Sequence, residues 1–233
     1  MRGLVSPGLA LCLALLAGCS AVPAPPVARA PEPPAVSDQE KQDRHEKAPK
    51  PRKKVPMLAS GRYRVVGGHA PPRPGAGPVV RYLVEVERGL PFRGREFAAE
   101  VHRILNDPRG WGRFRRVDHG PVRLSVALSS PQLTDRQCSP LRTGGELSCW
   151  NGTRSVINAL RWARGVRQYR GDLAAYREYV ISHEVGHGLG HSHRYCPGRD
   201  RLAPVMAQQS KSLAGCRPNP WPHPGNTREP SGS

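Results

Sequence analysis

Several residue types are in short supply in this 233-residue chain. Aromatic residues make up 6% of it, Phe and Met number 3 each, and apolar residues together reach 37%, below the roughly 45–50% (glycine included) usual for globular chains. Acidic residues number 18 against 36 basic ones, and only 6 of the basic residues are Lys. No apolar run approaches the ~20 residues that cross a bilayer as a helix, glycine does not recur at every third place, and no heptad pattern is sustained. These absences exclude a multi-span membrane protein, a collagen-like chain and a coiled coil. Proline (26) and glycine (25) are abundant instead, so part of the chain is expected to lie outside any packed core. The net charge of +18 brings nucleic acid, anionic membrane or an acidic polymer into view as partners. Arg in place of Lys, with much Ala, Pro and Gly, is also what GC-rich codons produce, which discounts part of that charge. The length suits one domain of ordinary size with tails, or two very small ones.

The amino terminus sets the compartment. Arg2 precedes an apolar run of ten residues, Gly8 to Ala17, which is too short to span a bilayer and reads as a signal peptide. Leu16-Ala17-Gly18-Cys19 resembles the bacterial lipobox, so residues 1–18 are expected to be removed and Cys19 to carry a lipid on the outer face of the cytoplasmic membrane. A plain secretory signal would export the chain equally. Export removes nucleic acid as a partner, and no motif that reads nucleic acid is present. Residues 19–60 are proline-rich and then charged, without an aromatic residue, and are expected to form a disordered tether. Residues 218–233 read as a disordered tail, which leaves one domain at 61–217 with no internal repeat; it holds 26 basic and 12 acidic residues, net +14.

Within that domain Cys138, Cys149, Cys196 and Cys216 form an even set in an oxidising compartment. Of the three pairings possible, Cys138 with Cys149 and Cys196 with Cys216 close short local loops and are favoured, each stabilising by about 3 kcal/mol in the chain-entropy model. Free thiols or a zinc cluster are the alternative, and no CxxC spacing supports the cluster. Alternating or β-branched stretches predict strands over Tyr63 to Val66, Val79 to Val86, Arg113 to Val117, Val122 to Leu128, Glu146 to Trp150 and Ser155 to Leu160. Helical spacing predicts helices over Arg95 to Asn106 and from an Asp172 N-cap to about Leu189. That order argues an α+β domain with a mixed sheet.

The second helix ends in His183-Glu184-Val185-Gly186-His187-Gly188-Leu189-Gly190-His191-Ser192-His193. Four residues apart, His183 and His187 project from one helix face a turn apart, so two imidazoles can share one zinc ion. Glu184 lies about 100° round the helix, beside the metal position, where a carboxylate can take a proton from water. Gly190 can adopt the left-handed backbone that ends a helix and turn the chain so that His193 returns as third ligand. His191 competes for that place, but only if the helix continues through Gly188 and Gly190, at about 1 kcal/mol for each glycine. Three protein ligands and an open position are the mark of a catalytic zinc.

His183-Glu184-x-x-His187-x-x-Gly190-x-x-His193 resembles the extended zinc signature of the metzincin metallopeptidases, and Pro204-Val205-Met206 resembles their Met-turn. Exported actinobacterial lipoproteins carrying this signature are similar as well. The resemblance implies a zincin-type α+β fold with a central zinc-binding helix, one catalytic Zn2+ on His183, His187 and His193, Glu184 as catalytic base, and Met206 as an apolar floor beneath the metal. The chain departs from the family's pattern at Arg194 after the third His, at Gln208 where a Tyr often stands, and in the short spacing from His193 to Met206.

The remaining histidines of the domain and tail, His69, His102, His119 and His223, show no partner spacing and read as structural or surface residues. Trp111, Trp150 and Trp162 read as core or cleft wall, and Asn151-Gly152-Thr153 as an idle glycosylation pattern. Two functions follow. In the first the chain is a zinc endopeptidase, a monomer at the cell surface acting on protein or peptide, with strand Val122 to Leu128 as the edge that an extended substrate joins. In the second the metal is structural and the basic surface holds an anionic wall polymer or lipid head group.

Overall fold

The computed structural model describes residues 54–225; the signal peptide, Cys19 and most of the tether and tail assigned above lie outside the described residues. Six strands form one sheet: β1 (Tyr63–Val65), β2 (Val79–Glu87), β3 (Arg113–Arg116), β4 (Leu124–Ser129), β5 (Cys149–Trp150) and β6 (Arg154–Asn158). The order is β1-β2-β4-β6-β5, with β3 also paired to β2. β2, β4 and β6 run parallel, β3 is parallel to β2, and β1 and β5 are antiparallel to their neighbours. The helices are α1 (Gly94–Leu105), α2 (Pro131–Cys138), α3 (Ala159–Arg164) and α4 (Leu173–Gly188), with a 3-10 turn at Arg167–Tyr169. The domain is therefore α+β with a mixed sheet.

Parallel strands linked by helices are covered on both faces. All six residues of β4 are buried accordingly. β4 is hydrogen-bonded to β2 on one side and β6 on the other, which overturns its expected role as a free substrate-pairing edge. Alternation of Val122, Leu124, Val126 and Leu128 reports a pleat, not a position in the sheet. The edge strand beside the long helix is β5. It is shorter than the stretch Glu146 to Trp150 suggested, because Thr143 and Gly145 turn onto the Asp135 carboxylate. β6 stops before Leu160 because the Asn158 side chain accepts from Leu160 N and caps α3. α2 was not anticipated, although Ser130 and then Pro131 at its first position are a helix-start signal.

α1 turns Phe97, Ala98, Val101, Ile104 and Leu105 inward, and Phe97 meets Trp162 edge to face at 4.9 Å. α4 packs on α1, α3, β5 and β6, and is buried along most of its length, as a helix with apolar residues on two stripes should be. Both favoured disulfides are present, Cys138–Cys149 and Cys196–Cys216, with Cα atoms 6.0 and 5.8 Å apart. Two disulfides mark an exported protein. Among the described residues no helix is long and apolar enough to cross a membrane.

The packed region exceeds the expected 61–217. Val55 is buried at one end, and Asn219 and Trp221 at the other, so the tail boundary at 218 falls too early. The reason is a polar network centred on Gln209, whose residue is 0% exposed. Its Nε2 donates to Asn219 O (2.7 Å) and Pro204 O (3.2 Å), and its Oε1 accepts from Tyr169 OH (2.9 Å) and Asn219 N (3.0 Å). Its own backbone N–H donates to Tyr179 OH, which in turn donates to Ala207 O, both at 2.9 Å. All four side-chain bonds disappear in Gln209→Ala, leaving the Tyr169 hydroxyl and Asn219 N–H buried without partners. We expect a loss of about 3 kcal/mol, read as a fall in Tm of roughly 6–12 °C for a domain of this size.

Candidate metal centre

α4 is capped by Asp172, whose carboxylate accepts from Ala175 N at 2.9 Å, and its last turns carry the histidine motif. The helix ends where expected. Gly190 has φ +98°, its N–H donates to His187 O (2.9 Å), and His191 N donates to Gly186 O (3.0 Å). This paired closure is the Schellman motif, which needs a residue tolerant of the left-handed backbone at the Gly190 position. The chain then doubles back so that His183, His187 and His193 each offer a ring nitrogen within 4.8 Å of the other two. His191 is not in this group; its ring stacks on Trp111 at 4.1 Å.

Two of the imidazoles are fixed from behind. His183 Nδ1 lies 2.8 Å from Val205 O, and His187 Nδ1 lies 2.9 Å from His191 O. A carbonyl only accepts, so both Nδ1 atoms carry the proton and both Nε2 atoms present lone pairs. His187 Nε2 stands 3.1 Å from His193 Nε2. Two nitrogens on one tetrahedral zinc, each at 2.0–2.1 Å, are separated by about 3.3 Å. Burial, followed by repulsion from neighbouring imidazoles, holds all three rings below the ordinary histidine range, His183 down to about 3. The donor set, the carbonyls that orient two of its rings and its neutral state fit a divalent metal such as zinc.

Glu184 is buried beside this triad, and burial alone pushes its carboxyl up from 4.5 to about 8. Among the described residues its carboxylate has no hydrogen-bond partner. It opens with the three histidines onto a cleft of about 400 Å³, walled by Trp150 and Tyr179 and flanked by Gln208, Arg142 and Lys211. Met206 is buried too. A methyl group at Gly186 would come within 2.5 Å of the Met206 sulfur and 3.0 Å of the Trp111 ring, so glycine is what lets both side chains approach the helix. Arg194 N donates to Met206 O at 3.0 Å, and Cys196–Cys216 encloses both the ligand loop's exit and Met206.

Other sequence assignments divide. Trp162 is core; Trp111, partly buried, donates from Nε1 to Ser182 O at 2.7 Å. His102 bridges Tyr82 OH and Pro71 O, and His223 N donates to Arg109 O, so both are structural. His69 and His119, read as unpartnered, in fact meet at Asp118. Gln209 carries no sequence signal that separates a buried glutamine from an exposed one, whereas Gly186, a glycine inside a helix, is a legible sign of close approach.

Glu184 has a pH signature in the metal-free chain. The carboxyl titrates from 4.5 to about 8 on folding, so the folded state holds a proton that the unfolded state releases, and stability is lost as pH rises between those values. Chelator-treated wild type should fall below Glu184→Gln over that window by at most ~1.4 kcal/mol for each pH unit, then run parallel to it. Denaturant titrations at acid and mildly alkaline pH measure this, and parallel curves throughout would show that the carboxylate is not desolvated.

No curated protein and no solved structure matches the chain. A family profile described as "Protein of unknown function (DUF3152)" matches residues 50–224, which takes in the whole sheet, both disulfides and the histidine cluster, and covers well over half of the sequence. The chain belongs to the DUF3152 family.

Proposed function

We propose that this chain is a zinc-dependent endopeptidase of metzincin type, held at the outer face of the bacterial cytoplasmic membrane through Cys19. The observation that carries the reading is the placement of a buried, unpartnered carboxylate, Glu184, on the same cleft as three converging neutral imidazoles. Structural zinc sites close their coordination with protein ligands; three histidines on an open cleft leave a position for chemistry.

His183, His187 and His193 would hold the ion, which when bound supplies Lewis acidity toward the substrate carbonyl and toward water. The Nδ1 protons of His183 and His187 stay on Val205 O and His191 O, which keeps both rings oriented. Glu184 takes a proton from the attacking water at a carboxylate oxygen and delivers it to the nitrogen of the leaving amine. A bound cation beside the carboxyl would favour its ionised form, the form that can accept the proton. Tyr179 takes no part, since its hydroxyl is committed to Ala207 O and Gln209 N. An extended substrate fits along β5, the edge strand whose Cys149 and Trp150 line the cleft together with Ser148 just before it. Arg142 and Lys211 give that cleft a positive rim, in keeping with a basic domain working beside an anionic envelope.

The full chain should bind zinc with loss of affinity in His183→Gln or His187→Gln, and should cleave members of an unbiased peptide library. Glu184→Gln should keep the metal and lose about 10²–10⁴-fold in turnover. Retained turnover overturns the mechanism. Zinc held without hydrolysis of any protein or peptide, together with salt-sensitive binding to anionic polymer that survives Glu184→Gln, would instead make the chain an envelope-binding protein with a structural metal.

A further inference from the structure

β2 is unusual in having one flank divided between two partners. β1 pairs with it at Glu85–Glu87 and β3 at Val79–Tyr82. The chain leaving β1 donates from Val66 N to Val84 O (2.8 Å), then crosses the seam and pairs Ala70 with Arg116 at the end of β3. The chain leaving β3 donates from Val117 N to Tyr82 O at 3.0 Å and turns away through Asp118-His119-Gly120. At this seam His69, Asp118 and His119 bring three ligand atoms within 4.8 Å of one another. Gly68 N donates to Asp118 Oδ2 at 2.6 Å, which fixes the carboxylate and turns Oδ1 toward His69 Nε2 (3.3 Å) and His119 Nδ1 (2.6 Å).

We propose that His69, Asp118 and His119 form a second metal site, for a divalent transition ion of the zinc class, which pins β1 and β3 together at the sheet edge opposite β5. The donor set decides the class of ion. Two imidazoles with one carboxylate suit zinc, cobalt, nickel or copper, whereas calcium and magnesium take oxygen ligands. Ligand atoms on a tetrahedral zinc stand about 3.3 Å apart; His69 already meets that spacing, and His119, with its side chain 80% exposed, has room to open to it. The backbone N–H on Oδ2 holds the carboxylate in one orientation, as a ligating carboxylate needs.

The company Asp118 keeps points the same way. Every other ion pair among the described residues joins a carboxylate to an arginine: Glu85 to Arg154, Glu100 to Arg177 and Asp107 to Arg109 are examples. In so arginine-rich a domain Asp118 alone is paired only with imidazoles, the groups that can give up a proton and accept a metal. Remaining coordination positions face solvent, so the ion would have a stabilising role at the seam and bind more weakly than at the buried triad. The site shares no residue with that triad and stands or falls apart from the peptidase reading.

Zinc titration of the full chain by calorimetry, with metal analysis after dialysis, should resolve two equivalents. The paired substitution H69Q/H119Q should weaken the second equivalent at least tenfold and leave the first intact; H187Q should do the reverse. Asp118→Asn, which keeps an acceptor for Gly68 N–H, should also weaken the second equivalent tenfold or more. In the H187Q background zinc should raise Tm, and adding Asp118→Asn should abolish that rise. Zinc uptake unchanged by H69Q/H119Q or by Asp118→Asn, whether one equivalent or two is bound, overturns the proposal; a lone equivalent lost in those variants and kept in H187Q upholds it and counts against the triad instead.

Discussion

The third ligand stands on a stretch that has neither helix nor strand. From Leu189 to Gly225 the described chain makes only turns and one isolated bridge, Leu202 to Arg217, so nothing of regular geometry places His193 relative to α4. The hydrogen bond from His183 Nδ1 to Val205 O is the central constraint, because it ties the helix-borne ligand to the very loop that must return beneath it. Around that bond sit the Arg194 to Met206 backbone contact, the Gln209 network and the Cys196–Cys216 bridge. A buried imidazole bonded to a carbonyl has one tautomer available, so the same contact that positions the loop also readies the opposite nitrogen for a cation.

The sheet serves this arrangement indirectly. Parallel β2, β4 and β6 demand helices on their faces, and α4 is the helix that crosses β6 and β5. Its last turn therefore arrives beside the edge strand, and the cleft forms where that strand, the helix end and the irregular loop meet. Gly186 and Gly188 thin the helix at that junction, admitting Met206 and Trp111 on one side and Leu124 and Trp150 on the other. The cost is about 1 kcal/mol of helix propensity at each glycine, which the tertiary contacts of a largely buried helix offset.

What could be seen in the sequence was what depends on near neighbours. The histidine spacing, the Asp172 cap, the left-handed Gly190 and both short disulfide loops are local rules, and each appears in the structure. The α+β order with a mixed sheet followed from hydrophobic period alone. Remote geometry stayed hidden. The period-two pattern of β4 is the same for an edge and a centre, Gln209 is buried only because Tyr169 and Asn219 come to it, and Trp221 belongs to a tail whose prolines suggested disorder. His69 and His119 meet only because the chain from β1 crosses to β3, a step that no spacing rule records.

The Cys196–Cys216 bridge ties the loop of the histidine cluster to an oxidising compartment. Its loop encloses Met206 and begins just beyond His193. Before oxidation, the irregular segment that completes the histidine cluster lacks its covalent clasp, in a cytosol that keeps thiols reduced. The irregular segment thus gains its covalent clasp only in an oxidising compartment; a reduced chain would hold the His193 loop against Met206 by hydrogen bonds and packing alone.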